Sequence, residues 1–218
     1  KKIVIIGAGA MGSAFCVPCA DNSHEVYLVG SFLEDELIDE INKLNNFHPV
    51  LKCQLPKKLN VIRFSEFNDQ IYKDVDLLVV GVSSKGIDWI GDEISKIYSE
   101  KTDILLLTKG LTIINDQFQT LAEKLKQILN KHKINNPKIS AVGGPCLANG
   151  LANRINSSVI LANENLDIVK NIGKMISHDD KFTLYFKTRE KAVLAKGEEF
   201  NYITDYPQDL YILYNDSG

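Results

Sequence analysis

The feature that most constrains this chain is its opening stretch, KKIVIIGAGAMGSAF, in which an apolar run meets a series of glycines. Residues 3–6 are all apolar and β-branched, a pattern typical of a parallel strand covered on both faces. The residues that follow, AMGSAFCVPCADN, include small and apolar side chains that can pack on that strand as a helix. A strand, a glycine turn and a helix in this order predict an α/β fold.

The spacing of the glycines predicts a ligand at this turn. Gly7 permits the sharp turn, Gly9 lets the backbone approach a pyrophosphate, and Gly12 allows the helix to lie close to the strand. The free N–H groups at the start of the helix, and the positive end of its dipole, favour an anion there. We therefore predict dinucleotide binding, with a glycine turn that holds no ligand as the alternative.

Apolar strands alternate with helical patterns along most of the chain. This alternation predicts a doubly wound, mostly parallel Rossmann-type sheet. The predicted strands after the first are residues 24–30, 60–64, 75–82, 103–110, 138–144, 157–162 and 181–186, and the predicted helices include residues 33–44, 116–132 and 165–176. Beyond Phe186, helical spacing around Pro207 predicts a short appendage of two helices and no further strand.

Composition excludes several classes of function. The net charge of −3 gives no electrostatic reason to expect nucleic acid as a partner. There is no run of about 18 apolar residues and no secretory leader, so a cytoplasmic protein without a membrane span is expected. The four histidines lack metal-ligand spacing, and no metal site is expected. Cys16 and Cys19 form a CxxC inside the first helix, which favours core packing over a redox pair.

Ligands of open α/β sheets bind beyond the carboxyl ends of the strands, so three later loops carry further candidates. Ser83 is small and polar and can lie along a nicotinamide ribose, with an ordinary turn as an equal alternative. Lys109 ends a buried strand, where a partly desolvated cation needs an anionic or polar ligand; a surface lysine is the alternative. Gly144 and Pro145 fix a tight loop with N–H groups available to a small ligand.

The segments GAGAMGSAF, VVGVSSKG, LLTKGL and GGPCLANGLANR follow one another in this order. Together they resemble the N-terminal domain of NAD(P)-dependent glycerol-3-phosphate dehydrogenase of the bacterial and archaeal type, over about residues 2–185. The resemblance implies hydride exchange between dihydroxyacetone phosphate and sn-glycerol 3-phosphate with NAD or NADP, in the supply of phospholipid precursors. Ketopantoate and 6-phosphogluconate dehydrogenases share the opening glycines but fit the later segments less well.

The resemblance also implies roles for individual residues. Lys109 would be catalytic, orienting the substrate and stabilising charge without being the sole proton-transfer group. Gly144 and Cys146 would bind substrate together with Lys109, and Cys146 replaces a serine of the family's pattern. The residues expected to bind the cofactor are Gly7, Gly9, Ala10, Met11, Gly12, Ser31, Ser83, Lys109 and Ala148.

The end of the second predicted strand bears on the choice of cofactor. An NAD-selective site usually has an Asp or Glu there that hydrogen-bonds the ribose hydroxyls. This chain has Gly30, Ser31 and Phe32 instead. No carboxylate is therefore expected to repel a 2′-phosphate, and NADP is expected to bind at least as readily as NAD.

The sequence departs from the family in the second domain. The family's helical domain supplies a catalytic lysine in an ALKN-like segment, which this sequence lacks, and residues 186–218 resemble the extreme end of that domain. We therefore expect a dinucleotide-binding domain over residues 1–185 and a helical remnant over residues 186–218. A natural internal deletion and missing residues near Phe186 both remain open.

Two functions are therefore candidates, an oxidoreductase of this family and a dinucleotide-binding module without turnover. The missing lysine segment is the feature that separates them. The expected partner is a small phosphorylated substrate, dihydroxyacetone phosphate or glycerol 3-phosphate. A homodimer is one candidate assembly.

Overall fold

A computed structural model describes residues 1–114, 116–155, 157–177, 183–185 and 208–214. Its strands are β1 (Lys2–Ile6), β2 (Glu25–Val29), β3 (Phe47–His48), β4 (Cys53–Gln54), β5 (Asn60–Ile62), β6 (Leu77–Val80), β7 (Asp103–Leu106), β8 (Leu111–Ile114), β9 (Gln117–Thr120), β10 (Ile139–Gly143), β11 (Ser157–Ala162), β12 (Thr183–Tyr185) and β13 (Gln208–Tyr214). Its helices are α1 (Ala10–Asp21), α2 (Asp35–Lys43), α3 (Asp69–Tyr72), α4 (Ile87–Ile97), α5 (Leu121–Lys131), α6 (Ala148–Ala152) and α7 (Leu166–Ile176).

Nine of these strands form one sheet in the order β12-β13-β11-β10-β7-β6-β1-β2-β5. The six strands from β10 to β5 pair in parallel. The other three, β11, β13 and β12, pair antiparallel at one side. The chain therefore runs from β1 to β2 on one side and returns to β6 on the other, which confirms the predicted mostly parallel α/β sheet.

The core lies on both faces of this sheet, because side chains alternate between the faces along each strand. Ile3 and Ile5 of β1 pack with α1, α6 and α7 on one face. Val4 and Ile6 pack with α4 and α5 on the other. A strand that is buried on both faces must be apolar throughout, which explains the continuous apolar run at the start of the sequence.

Most of the predicted elements are present, with ends that differ by a few residues. All eight predicted strands and the helices α2 and α7 are found. Cys16 and Cys19 lie in the core as free thiols. In the described part of the chain, no helix has the length and apolar character needed to span a membrane.

The predicted helix over residues 116–132 is wrong in its first part. Residues up to Thr120 belong to a hairpin in which β8 pairs antiparallel with β9. The helix α5 begins only after Thr120, whose hydroxyl accepts a hydrogen bond from the Glu123 N–H while the Glu123 carboxylate accepts one from the Thr120 N–H. This reciprocal cap sets the start of the helix, and the periodicity of the apolar residues did not reveal it.

The prediction that no strand follows Phe186 is also wrong. Residues 208–214, QDLYILY, form β13, which pairs with β11 and β12. The segment is rich in aromatic and branched residues that favour strands, and β11 offers an edge whose backbone groups need partners. Residues 186–207 and 215–218, which complete the two predicted helices, lie outside the described residues.

A close backbone crossing joins β1, α1 and β6. Gly7 has a φ of +111°, which lets the chain turn sharply out of β1. A Cβ atom on Gly12 would lie 2.0 Å from the Gly7 carbonyl oxygen, and one on Gly81 would lie 3.1 Å from the Gly12 Cα. Only glycines allow the start of α1 to come this close to the sheet.

We expect Gly12→Ala to lower the free energy of unfolding by about 1–3 kcal/mol or more, because backbone must move to admit the methyl group. Gly9→Ala is the matched control, since a Cβ there meets nothing closer than 3.9 Å. It should cost less than about 1 kcal/mol. Urea denaturation followed by circular dichroism measures both. Equal stabilities for the two variants would contradict this account of the crossing.

Candidate functional site

The loops that carry the candidate residues lie beyond the carboxyl ends of the parallel strands. Ile6 at the end of β1 is in register with Val29 of β2 and Val80 of β6, and Val80 is in register with Leu106 of β7. Four strands therefore end at the same level, and the loops after them lie side by side. This is the point at which successive strands pass to opposite sides of β1, where open α/β sheets bind their ligands.

A cleft of about 560 Å³ opens beyond these strand ends. It is lined by Gly9, Ala10, Met11, Ser31, Phe32, Leu33, Glu34, Gly81, Val82, Ser83, Lys85, Gly86, Trp89, Leu107 and Thr108. Five of the residues predicted to bind a cofactor are in this set, namely Gly9, Ala10, Met11, Ser31 and Ser83. The crossing glycines Gly7 and Gly12 are outside it and shape the turn that presents the others.

The start of α1 forms part of the cleft wall. Gly9 is the N-terminal cap residue of α1, and no side chain caps this end of the helix. A Cβ atom at Gly9 would be 3.9 Å from its nearest neighbour, an oxygen of Glu34. The first N–H groups of the helix thus face a space that a ligand can enter, and the helix dipole favours an anion there.

Three side chains hold the peptide groups of Ala8, one from α1 and two from distant parts of the chain. The Ala8 carbonyl accepts hydrogen bonds from the Ser13 hydroxyl at 2.9 Å and from His48 Nε2 at 3.1 Å. The Ala8 N–H donates to Glu34 Oε2 at 3.0 Å. His48 is fully buried, and its Nδ1 accepts from the Leu51 N–H, so Nε2 carries the proton. None of these contacts follows from a motif in the sequence.

Glu34 corrects the expectation that no carboxylate lies at the end of β2. Its Oε2 atom accepts hydrogen bonds from the N–H groups of Ala8 and, at 2.7 Å, of Ser31. The side chain comes from the start of α2 and folds back over the glycine turn. The prediction failed because it considered only the residues directly after the strand, and Glu34 reaches the same place from the helix that follows.

Aromatic side chains lie against the same part of the cleft. The rings of Phe32 and Trp89 meet edge to face with centroids 5.0 Å apart, and Trp89 meets Phe64 at 4.9 Å. Phe32 is 56% exposed. An exposed aromatic beside a polar loop offers a flat apolar surface to a ring such as adenine. These residues were not among the predicted site residues, although their aromatic character was a signal.

Lys109 lies apart from the lining of the cleft, on the loop after β7. Its Nζ atom donates a hydrogen bond to the Gly144 carbonyl at 2.7 Å, so the structure brings these two predicted residues together. The expected partial burial of Lys109 is wrong, because the side chain is exposed. Its neighbour Leu107 is buried, but the chain emerges from the sheet before it reaches the lysine.

Cys146 and Ala148 follow the tight loop at Gly144. Cys146 is buried, and burial raises the pKa of its thiol against the smaller opposing effects of the Ser157 hydroxyl and the Lys109 charge. It is therefore a neutral thiol at physiological pH. Ala148 begins α6, which packs against α1. The roles predicted for these two residues toward substrate and cofactor stay predictions.

The parallel sheet, the glycine crossing and the cleft define a protein of the Rossmann type. A profile of the family described as "NAD-dependent glycerol-3-phosphate dehydrogenase N-terminus" matches residues 2–169. The chain belongs to this family.

Known proteins agree with this assignment. The chain is 27% identical to the glycerol-3-phosphate dehydrogenase [NAD(P)+] of Oceanobacillus iheyensis, over 85% of this chain and 51% of that protein. It is 29% identical to the NADP(+)-dependent glycerol-3-phosphate dehydrogenase of Archaeoglobus fulgidus, over 73% and 46%. The crystal structure of glycerol-3-phosphate dehydrogenase from Coxiella burnetii shares the fold with a TM-score of 0.67, at 21% identity, over 85% and 53%. The chain thus spans about half the length of the curated relatives it matches.

We expect His48→Leu to lower the free energy of unfolding by about 1–3 kcal/mol, because the Leu51 N–H loses its acceptor inside the core. His132→Leu is the control. His132 is partly exposed and bonds Asp92 at the surface, so its loss should cost less than about 1 kcal/mol. Chemical denaturation of both variants measures the difference. A His48 variant as stable as the control would refute a stabilising role for the buried His48 hydrogen bonds.

Proposed function

We propose that this chain is the dinucleotide-binding part of an oxidoreductase that interconverts dihydroxyacetone phosphate and sn-glycerol 3-phosphate with NAD or NADP. The observation that carries this proposal is the cleft at the level strand ends, with the uncapped start of α1 in its wall. Membership of the family supports the substrate pair. The names of the relatives support a nicotinamide cofactor.

The residues of the cleft fit a dinucleotide. The open space at Gly9 lets a pyrophosphate approach the backbone, and the N–H groups of Ala10 and Met11 lie at the positive end of the α1 dipole. The volume of about 560 Å³ falls within the range of about 300–1,000 Å³ typical of sites for small molecules. When bound, the nicotinamide ring supplies the hydride exchange, and the protein supplies orientation and electrostatics.

Lys109 is the residue we assign to the substrate. Its bond to the Gly144 carbonyl holds the ammonium group between the loops after β7 and β10, and an ammonium has two further hydrogens to donate. A positive charge fixed there stabilises the substrate oxygen that becomes negative during hydride transfer. In this proposal Gly144 and Cys146 line the substrate side, and Ser83 and Ala148 lie along the cofactor.

A dinucleotide-binding module without turnover is the second candidate function. The observation that favours it is the lack, in this sequence, of the ALKN-like segment that carries the family's other lysine. Oxidation of NADH or NADPH that depends on dihydroxyacetone phosphate separates the two candidates. The proposal for the oxidoreductase includes a cytoplasmic location, a role in the supply of phospholipid precursors and assembly as a homodimer.

We expect Gly9→Val to weaken NAD binding by at least about tenfold, because its side chain would project into the space where the pyrophosphate approaches. Gly9→Ala should give an intermediate loss, since its side chain is smaller. Isothermal titration calorimetry of the folded variants measures this series. An unchanged affinity in the valine variant would overturn the assignment of the pyrophosphate site.

We expect Lys109→Ala to weaken binding of sn-glycerol 3-phosphate by about tenfold or more in the presence of NAD, while the affinity for NAD changes little. The lost interaction is the charge-assisted bond to the substrate. Lys101→Ala is the control. Lys101 is an exposed lysine that precedes β7, at the other end of the strand from Lys109. NMR titration measures both ligands. Equal substrate affinities in the two variants would count against a substrate role for Lys109.

A further inference from the structure

We propose that Glu34 makes this chain select NAD over NADP, by accepting a hydrogen bond from the 2′-hydroxyl of the adenosine ribose. The inference rests on the proposed dinucleotide function and goes beyond it. Names of the relatives include both an NADP-dependent enzyme and enzymes described as acting with NAD(P). Family membership therefore leaves the choice open, and this chain's own residues must decide it.

The two oxygens of the Glu34 carboxylate have different surroundings. Oε2 accepts hydrogen bonds from the N–H groups of Ala8 and Ser31, at 3.0 and 2.7 Å, and these bonds fix the orientation of the carboxylate. Oε1 points toward Gly9, 3.9 Å from the position of a Cβ atom there, and Glu34 lines the cleft. Within the described residues, no hydrogen bond to Oε1 is formed. The carboxylate thus presents one fixed acceptor to a ligand.

The packing of α2 explains why the carboxylate comes from Glu34 and not from the end of β2. A Cβ atom on Gly30 would lie 2.7 Å from Cγ1 of Ile38, a fully buried residue of α2. A side chain at Gly30 would therefore force the packed Ile38 side chain to move. The first turn of α2 instead brings Glu34 over the glycine turn, where the Ile38 N–H donates to the Glu34 carbonyl and fixes its backbone.

The charges around this corner of the cleft disfavour a phosphate. Arg63, which follows β5 beside β2, donates from its guanidinium to both carboxylate oxygens of Asp39. Its backbone N–H is bound by Glu66. Asp35 lies next to Glu34 at the start of α2 and also acts on Arg63 electrostatically. In this structure Arg63 therefore faces Asp39 in a surface ion pair and does not line the cleft.

Among the residues that line the cleft, Lys85 is the one with a positively charged side chain. It lies on the loop after β6, and β6 and β2 flank β1 on opposite sides. The side of the cleft next to β2 therefore carries Glu34 without a lining cation of its own. A ribose 2′-hydroxyl can donate to this carboxylate, whereas a 2′-phosphate has no proton to spare for it and is repelled.

Titration calorimetry of the full chain with NAD and with NADP tests the proposal. We expect the wild type to bind NAD at least about tenfold more tightly than NADP. In Glu34→Gln the ratio should fall to within about threefold of unity, because the amide keeps an acceptor for the backbone N–H groups but loses the charge. Glu40→Gln, an exposed position further along α2, makes the same change in net charge and should leave the ratio unchanged.

Each other outcome overturns a defined statement. If Glu34 only braces the glycine turn, Glu34→Gln weakens both nucleotides by the same factor and the ratio stays as in the wild type. A wild type that prefers NADP, or binds both equally, refutes the selection by Glu34 even if the variant fails to fold. A wild type that binds neither nucleotide refutes the dinucleotide function itself, which is a different result from an unaltered ratio.

Discussion

The architecture of this protein depends on a backbone contact that only glycine permits. Gly12 at the start of α1 lies against the carbonyl of Gly7, and Gly81 after β6 lies against Gly12. This contact lets the helix begin directly above the sheet, so that its first N–H groups face the cleft. A methyl group on Gly12 would push the helix away from the turn at Gly7, and one on Gly81, after β6, would press on Gly12. Packing and ligand approach therefore share one geometrical requirement.

Electrostatic groups then complete the turn that the glycines allow. The peptide groups of Ala8 are held by Ser13 from α1, by Glu34 at the N-cap of α2 and by His48 from the first small hairpin. These are polar contacts in a largely apolar setting, where each unpaired group would be costly. The turn is thereby fixed before a ligand arrives, which reduces the ordering that binding must impose.

The loops around Lys109 and Cys146 are built differently. Lys109 is exposed and tied to a carbonyl of the next loop, and Cys146 is a buried thiol whose pKa is raised by its burial. The first supplies charge and the second supplies shape. The turn beside the cleft is fixed by glycines and a carboxylate, whereas these loops carry one ammonium donor. The ammonium stays exposed, so the loops hold a positive charge at the surface.

The sequence by itself determined the βαβ units, the parallel core of the sheet and the glycine turn, because these follow from apolar periodicity and from residues that locally permit one conformation. The late start of α5 is also encoded locally, by the capping pair Thr120 and Glu123, although apolar periodicity does not show it. The tertiary structure alone decided the contacts of Glu34 and His48 and the pairing of β13. These depend on which side chain reaches a distant peptide group and on a free strand edge, so they join residues far apart in the chain.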